Sequence, residues 1–392
     1  VSTKIEWVKN PDGTAGKTWN PITGCTKISP GCAHCYAERM ACRQACMGNK
    51  SYQSVIHWRS DVSGLDYPGH ARKAAGDCHG HWNGKIAVVE DKFDEPLHWR
   101  KPAHIFVCSM ADLFHEDVPF DVIDRVFAVM AAMREHTFQV LTKRPVRMRQ
   151  YVGGHGAWQF DDRWRGRDRF IEWPAPNVWL GVTAEDQQRA DQRIPDLLAT
   201  PAAVRFVSME PLLGPVNLRP WLYDPRECSC YEAEYGHQLG CMFHGMTGDA
   251  VRAEMAKPWP VLDWVIVGGE TGPGARPMHP DWVRDVRDQC VAANVPFFFK
   301  GWGSWAPLPE PFTYTPAVGS GNREYNLALG RYRKKHRATL LLDDRPEGWP
   351  PYMIRQGTGL TDGEGGMARV GKKAAGRLLD GREWNQMPGD QL

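Results

Sequence analysis

Between residues 85 and 300 the chain repeats one pattern: a short run of β-branched and aromatic residues, a polar end, then a longer stretch of helical character. The runs are Lys85–Glu90, Ile105–Ser109, Phe138–Thr142, Val178–Thr183, Val204–Met209, Trp264–Val267 and Pro296–Lys300. Near-continuous apolar runs alternating with helices mark parallel strands buried on both faces, because each crossover helix covers the sheet. Few folds accommodate such a series, and the expected one is α/β: a partial (β/α) barrel of the TIM type. Two of the connecting helices are legible. Phe120–Arg134 places Val122, Ile123, Val126, Phe127, Val129 and Met130 on roughly one face, and His279–Asn294 carries a proline in its first turn.

The barrel is expected to occupy residues 1–304, interrupted by insertions at about 48–84 and 224–257, with 305–392 as a Pro- and Gly-rich C-terminal extension. A chain of 392 residues that is 42% hydrophobic, with 17 Trp, 11 Tyr and 14 Phe, can bury a full core, which excludes a disordered polymer. No run of about 18 apolar residues offers a membrane span. Residues 1–20 lack the blocks of a signal peptide, so the expected compartment is the cytoplasm. There the 11 cysteines are expected as thiols or metal ligands rather than disulfides. The 48 basic and 46 acidic residues leave a net charge of +2, too small for a whole-molecule field that draws in nucleic acid. The basic run at 331–337 and the Arg/Asp alternation at 161–169 read as solvated surface or as local contacts.

Each apolar run ends in groups that can do chemistry: Cys108-Ser109 followed by Asp112, Thr142-Lys143-Arg144, Thr183 with Glu185, Ser208 with Glu210, Gly268-Gly269-Glu270, and Lys300-Gly301-Trp302. In α/β barrels the carboxyl ends of the strands meet at one mouth, where the site lies. Any one of these groups can simply start a loop. Their succession favours a shared site.

The sharpest local motif is Cys25, Cys32 and Cys35, a C-x6-C-x2-C pattern within residues 24–36. Three thiolates on one loop can ligate three irons of a cubane and leave the fourth iron open, whereas electron-transfer clusters usually take four cysteines. The alternative is zinc, with His34 or another cysteine as fourth ligand. Zinc modules usually bring a second paired Cys/His element nearby, and none is obvious here. Cys42 and Cys46, at helical spacing, are expected as buried thiols.

Trp19-Asn20-Pro21 leading into the cysteine loop, Tyr36-Ala37-Glu38, Val140–Pro145 and Val267–Met278 resemble a phage- and prophage-associated family of radical S-adenosylmethionine (SAM)-like proteins. The resemblance extends to Phe298–Lys300 and to residues 371–377 and 379–382, and so covers most of the chain. More distantly, the order of cysteine loop, a strand ending in Cys-Ser-x-x-Asp and a strand ending in Leu-Thr-Lys resembles the spore photoproduct lyase group.

The resemblance implies a 4Fe–4S cluster on Cys25, Cys32 and Cys35, with the open iron chelating SAM. One-electron reduction by an external reductant would then cleave SAM to a 5′-deoxyadenosyl radical, which the protein positions and shields. The common radical SAM spacing is C-x3-C-x2-C with an aromatic before the last cysteine; here the first gap is six residues and His34 takes the aromatic's place. Carried onto this chain, Lys143 pairs with the SAM carboxylate, Ser109 and Asp112 line the SAM site, and Cys108, one place off register, is the candidate catalytic hydrogen-atom donor. Gly268 and Gly269 permit close backbone approach, and Glu270 accepts the methionine amino group or else binds substrate. Glu210 is grouped with these cofactor-side residues.

A second metal candidate lies in the 224–257 insertion, where Cys228, Cys230, Cys241 and His244, with His237 in reserve, match a closed tetrahedral zinc site. An auxiliary cluster and unliganded surface residues are the other readings. Cys78, His79 and His81 form a weaker trio, read as incidental.

The expected function is therefore a radical SAM isomerase or lyase that remodels a nucleobase, or a hypermodified thymine in phage DNA, inside a bacterial host or phage-infected cell. The many Trp and Tyr residues could stack on bases, making DNA or a nucleotide the expected partner. Two other classes remain open: a zinc or iron–sulfur nucleic-acid-binding module without catalysis, and a peptide-modifying radical SAM enzyme.

Overall fold

The computed structural model describes residues 2–58, 80–155, 173–223, 260–307, 339–340, 367–369 and 371–390. Seven parallel strands form one curled half-barrel sheet: β1 Lys17–Trp19, β2 His104–Val107, β3 Thr137–Thr142, β4 Val178–Thr183, β5 Val204–Met209, β6 Trp264–Gly268 and β7 Phe297–Gly301. Each strand pairs with the next in chain order. Six of the seven expected runs become strands of this sheet. The exception is Lys85–Glu90, from which only Ala87–Val88 pairs, antiparallel, with Ile22–Thr23. The edge position goes to Lys17–Trp19, in which only Trp19 is buried, so it lacked the apolar run that reveals the others.

Alternate residues along the strands divide the core in two. Residues such as Ile105, Val107, Val140, Leu180, Val207, Val265 and Phe299 pack outward against the helices. Phe106, Trp179, Phe206, Trp264, Ile266 and Phe298 form a second cluster on the concave face together with Trp7. Trp7 comes from the 3-10 turn Glu6–Val8 and lies 4.8 Å from the Phe106 ring and 6.3 Å from that of Trp264. The lower half of the concave face is thus filled with aromatic rings. Gly181 is part of that packing, since a Cβ there would stand 2.5 Å from the Phe206 ring.

The helices that position the site are α1 Tyr36–Cys46, α2 Phe120–Ala132, α3 Pro145–Gln150, α4 Gln187–Leu198 and α5 Pro280–Ala292. α2 buries the apolar stripe expected of it. In α5, Pro280 stands at the first helical position and the His279 side chain caps the helix by accepting from Asp281 N. Cys42 is buried and free, as expected; Cys46 differs, being half-buried and disulfide-bonded. It is the last residue of α1, past the stripe of Ala37, Ala41 and Cys42 that faces the core.

Trp305–Pro307, Met367–Arg369 and Thr339–Leu340 form a small antiparallel sheet. Residues 371–390 then run back along the outer edge of β7. Phe299 N donates to Trp384 O at 2.9 Å, Trp302 N to Gly376 O at 3.3 Å, and Phe297 N to Gln386 Oε1 at 3.1 Å. This segment covers an edge that would otherwise present unpaired backbone groups. No helix among the described residues is long and apolar enough to cross a membrane.

Candidate functional site at the mouth of the half-barrel

Above the aromatic layer the concave face turns polar. Lys143 Nζ lies 3.3 Å from Thr183 Oγ1, and Thr183 pairs in register with Ser208. Glu210 Oε2 accepts from Lys300 Nζ at 3.0 Å and from Trp7 Nε1 at 3.2 Å. Ser208 Oγ and Glu210 Oε1 are buried and have no hydrogen-bond partner among the described residues.

Asp112 organises the end of β3. Its Oδ1 accepts from Thr142 Oγ1 at 2.6 Å and from Phe114 N at 3.1 Å, and its Oδ2 accepts from Lys143 N at 3.1 Å and Arg144 Nη1 at 3.0 Å. The carboxylate expected to line a cofactor site is thus committed to shaping the turn that presents Lys143. Ser109 Oγ donates to Asn20 Oδ1 at 3.2 Å, and its carbonyl accepts from Tyr36 OH at 2.8 Å. The Tyr36 ring itself is exposed.

The cysteine loop is fastened to the segments that follow four of the strands. After β2, His115 Nε2 meets Thr26 Oγ1 at 2.9 Å; after β3, Arg144 Nη2 donates to the same hydroxyl at 2.6 Å while its Nη1 lies 4.0 Å from Cys25 Sγ. After β4, Glu185 Oε1 accepts from Gly31 N at 3.1 Å. After β6, Arg276 Nη2 donates to Pro30 O at 3.0 Å. Cys25, Cys32 and Cys35 are free and partly exposed. Burial, then the charge of Asp112, pushes the Cys25 thiol up to about 12; Arg144 opposes this, and Cys35 and Cys32 add to it. The three sulfurs therefore share one electrostatic neighbourhood.

Glu185 is the residue whose role the sequence did not reveal. It is fully buried and paired with Arg193 at 2.9 Å. Burial alone would raise its carboxyl, but Arg193, Ser29, Lys143 and Gly31 N outweigh that and hold it below the ordinary range. Its place two residues beyond Thr183 was a signal; its grip on the cysteine loop was not legible.

The glycine motif after β6 also takes a different part from the one expected. Glu270 accepts from Arg276 N at 2.8 Å, Nε at 2.9 Å and Nη2 at 2.7 Å, so its carboxylate is engaged within the protein. A Cβ on Gly269 would stand 2.2 Å from Trp302 O, and one on Gly268 would stand 2.8 Å from Glu210 Oε1. The glycine pair admits neighbouring protein atoms. Gly274 lies against the His34 ring, and Arg39 Nη2 reaches Thr271 O at 3.0 Å, so this loop wraps the cysteine loop from one side.

Cys108 departs from the expectation of a donor at the mouth. Continuing the alternation from Phe106 would point it inward, but its φ of 56° turns the chain, and the thiol packs in the outer core with Trp19 and Ile22. Its burial is complete and raises its pKa. Trp7, Trp19 and Trp264 are likewise core residues, not stacking platforms. Cys228, Cys230, Cys241, His244 and His237 lie outside the described residues, as do Cys78, His79 and the 331–337 run. His81 is described, with its Nδ1 3.7 Å from Glu38 Oε1.

Among the described residues no group of three or more His, Cys, Asp and Glu side chains is gathered closely enough to hold one metal ion. The donors of a cubane bind different irons and so need not converge on a point. Three soft thiols on one loop, with no fourth cysteine grouped with them among the described residues, fit a cluster held through three ligands. The fold and site thus define an α/β half-barrel protein with a cysteine-bearing loop clasped over the carboxyl ends of its strands. Within that class the chain belongs to the DUF5131 family, described as proteins of unknown function, which it matches over residues 2–388. No curated protein and no solved structure matches it.

Proposed function

We propose that this protein is a radical SAM enzyme whose half-barrel is a partial TIM-type barrel and whose Cys25, Cys32 and Cys35 hold a 4Fe–4S cluster. The observation that carries this reading is the clasp: side chains following β2, β3, β4 and β6 all fasten the cysteine loop above a polar mouth. A merely structural loop needs no such convergence on strand ends, where barrel sites lie. When bound, the cluster would supply the electron that cleaves SAM to a 5′-deoxyadenosyl radical. Lys143 would hold the SAM carboxylate, and Ser208 Oγ and Glu210 Oε1, which have no partner among the described residues, would take donors or acceptors of bound ligands.

The substrate reading is a nucleobase, or a hypermodified thymine in phage DNA, remodelled by isomerase or lyase chemistry in the cytoplasm of a bacterial host or phage-infected cell. It rests on the family resemblance. A reductant is the second partner, and Cys228, Cys230, Cys241 and His244 are proposed as a separate zinc site. The test is anaerobic reconstitution with iron and sulfide, followed by SAM and dithionite. Wild type should gain a brown colour and release 5′-deoxyadenosine; Cys32→Ala should do neither. Full iron content in Cys32→Ala would end the cluster assignment, and zinc in place of iron would favour a non-catalytic module. Metal analysis of Cys25→Ala checks the second site, which should retain about one zinc per chain.

A further inference from the structure

We infer that Arg144 sets the reduction potential of the group held by the cysteine loop; the inference rests on the cluster reading above. Arg144 is buried at the end of β3, and each arm of its guanidinium has a defined place. Nε donates to Glu116 Oε1 and Oε2 at 2.9 and 2.8 Å, Nη2 to Thr26 Oγ1 at 2.6 Å, and Nη1 is shared between Asp112 Oδ2 at 3.0 Å and Cys25 Sγ at 4.0 Å. Among the described residues it is the cation within hydrogen-bond reach of a loop sulfur, and its planar fork cannot be deprotonated at any physiological pH.

Hydrogen bonds to ligand sulfurs and nearby charge set the potentials of iron–sulfur centres. One-electron reduction adds negative charge at the sulfurs, so the Arg144 cation favours the reduced state and raises the potential. Asp112 and Glu116 act in the opposite sense and partly cancel it. Asp112 is nearly as buried as Arg144, whereas Glu116 is largely exposed at 63% of its side chain, so solvent weakens its share. Arg144 is thus a tuning and positioning residue, while Lys143, one residue earlier, faces the mouth.

The experiment is a dithionite titration, followed by electron paramagnetic resonance without SAM, on reconstituted wild type, Arg144→Gln, Arg144→Lys and Glu116→Gln. Arg144→Gln removes the cation and frees two carboxylates, so its potential should fall by at least about 59 mV, the one-electron equivalent of a tenfold change. Arg144→Lys keeps the charge and should stay closer to wild type. Glu116→Gln removes a counter-charge from the solvent side and should shift the potential upward by a smaller amount. If Arg144→Gln fails to fold or to hold iron, the upward shift in Glu116→Gln and the near-wild-type potential of Arg144→Lys carry the test. Equal potentials in all loaded proteins, or a rise in Arg144→Gln, overturn the inference and leave the cluster reading standing. A wild type that binds no iron overturns both.

Discussion

Glu185 sits where water cannot help to hold its charge: burial alone would raise its carboxyl, and Arg193, Ser29, Lys143 and Gly31 N together hold it below the ordinary range. Removing one partner of a buried ion pair is costly because the other is left charged and unpaired, typically by about 3–5 kcal/mol. Glu185→Ala should therefore lower the urea midpoint markedly and loosen the cysteine loop; Glu185→Gln, which can still accept from Gly31 N, should hold the loop better. A midpoint unchanged in Glu185→Ala would show that the pair adds nothing. Lys143 carries a different prediction. A charge-assisted hydrogen bond to a carboxylate contributes roughly 1.5–3 kcal/mol, and 1.4 kcal/mol is tenfold in affinity. Lys143→Ala should weaken SAM binding on the order of 10-fold or more with cluster content unchanged. Equal SAM affinities would move Lys143 to the substrate side, where its loss would instead weaken nucleic-acid binding and flatten its salt dependence.

At the scale of the element, the loop after β6 is built around absent side chains. Because a Cβ on Gly269 would meet Trp302 O at 2.2 Å and the Trp302 carbonyl carbon at 2.5 Å, only a backbone shift can admit alanine. Gly269→Ala should destabilise by about 1–3 kcal/mol in thermal or urea unfolding, the usual range for forced overpacking. Gly153→Ala, where nothing lies within 4 Å, is the neutral comparison. The same loop shows what could be read beforehand. Six of the seven strands of the sheet and the two helices α2 and α5 were legible because burial on one or both faces leaves a period in the chain, as in Val178–Thr183, buried throughout; Lys17–Trp19, with only Trp19 buried, left none. The polar strand ends were legible too, because a barrel puts them at one mouth. Their individual duties were not. Glu270 looked available until Arg276 was seen to saturate it, and Cys108 looked inward-facing until a positive φ reversed it. Both depend on contacts or dihedrals that leave no periodic trace.

For the molecule as a whole, several buried histidines couple the fold to pH. His104, His136 and His279 all have pKa values lowered from 6.5, in each case first by burial. Burial favours their neutral form in the folded state, while the unfolded chain takes up protons as pH falls through 6.5. Stability from these groups is complete above that value and is lost as pH falls toward their depressed folded values. The denaturation midpoint should therefore drop on going from neutral pH to about pH 5, and His136→Phe, which keeps a ring in the same contact with Phe138, should reduce the drop. An equal drop in wild type and variant would assign the effect elsewhere.

Residues 371–390 lie against β7 although the two are about 70–90 residues apart in the chain. Without them the sheet would end on a bare strand of three consecutive phenylalanines, Phe297–Phe299. Such an edge can recruit another chain as readily as its own tail. By covering that edge, residues 371–390 keep Phe297–Phe299 from serving as a template for another chain.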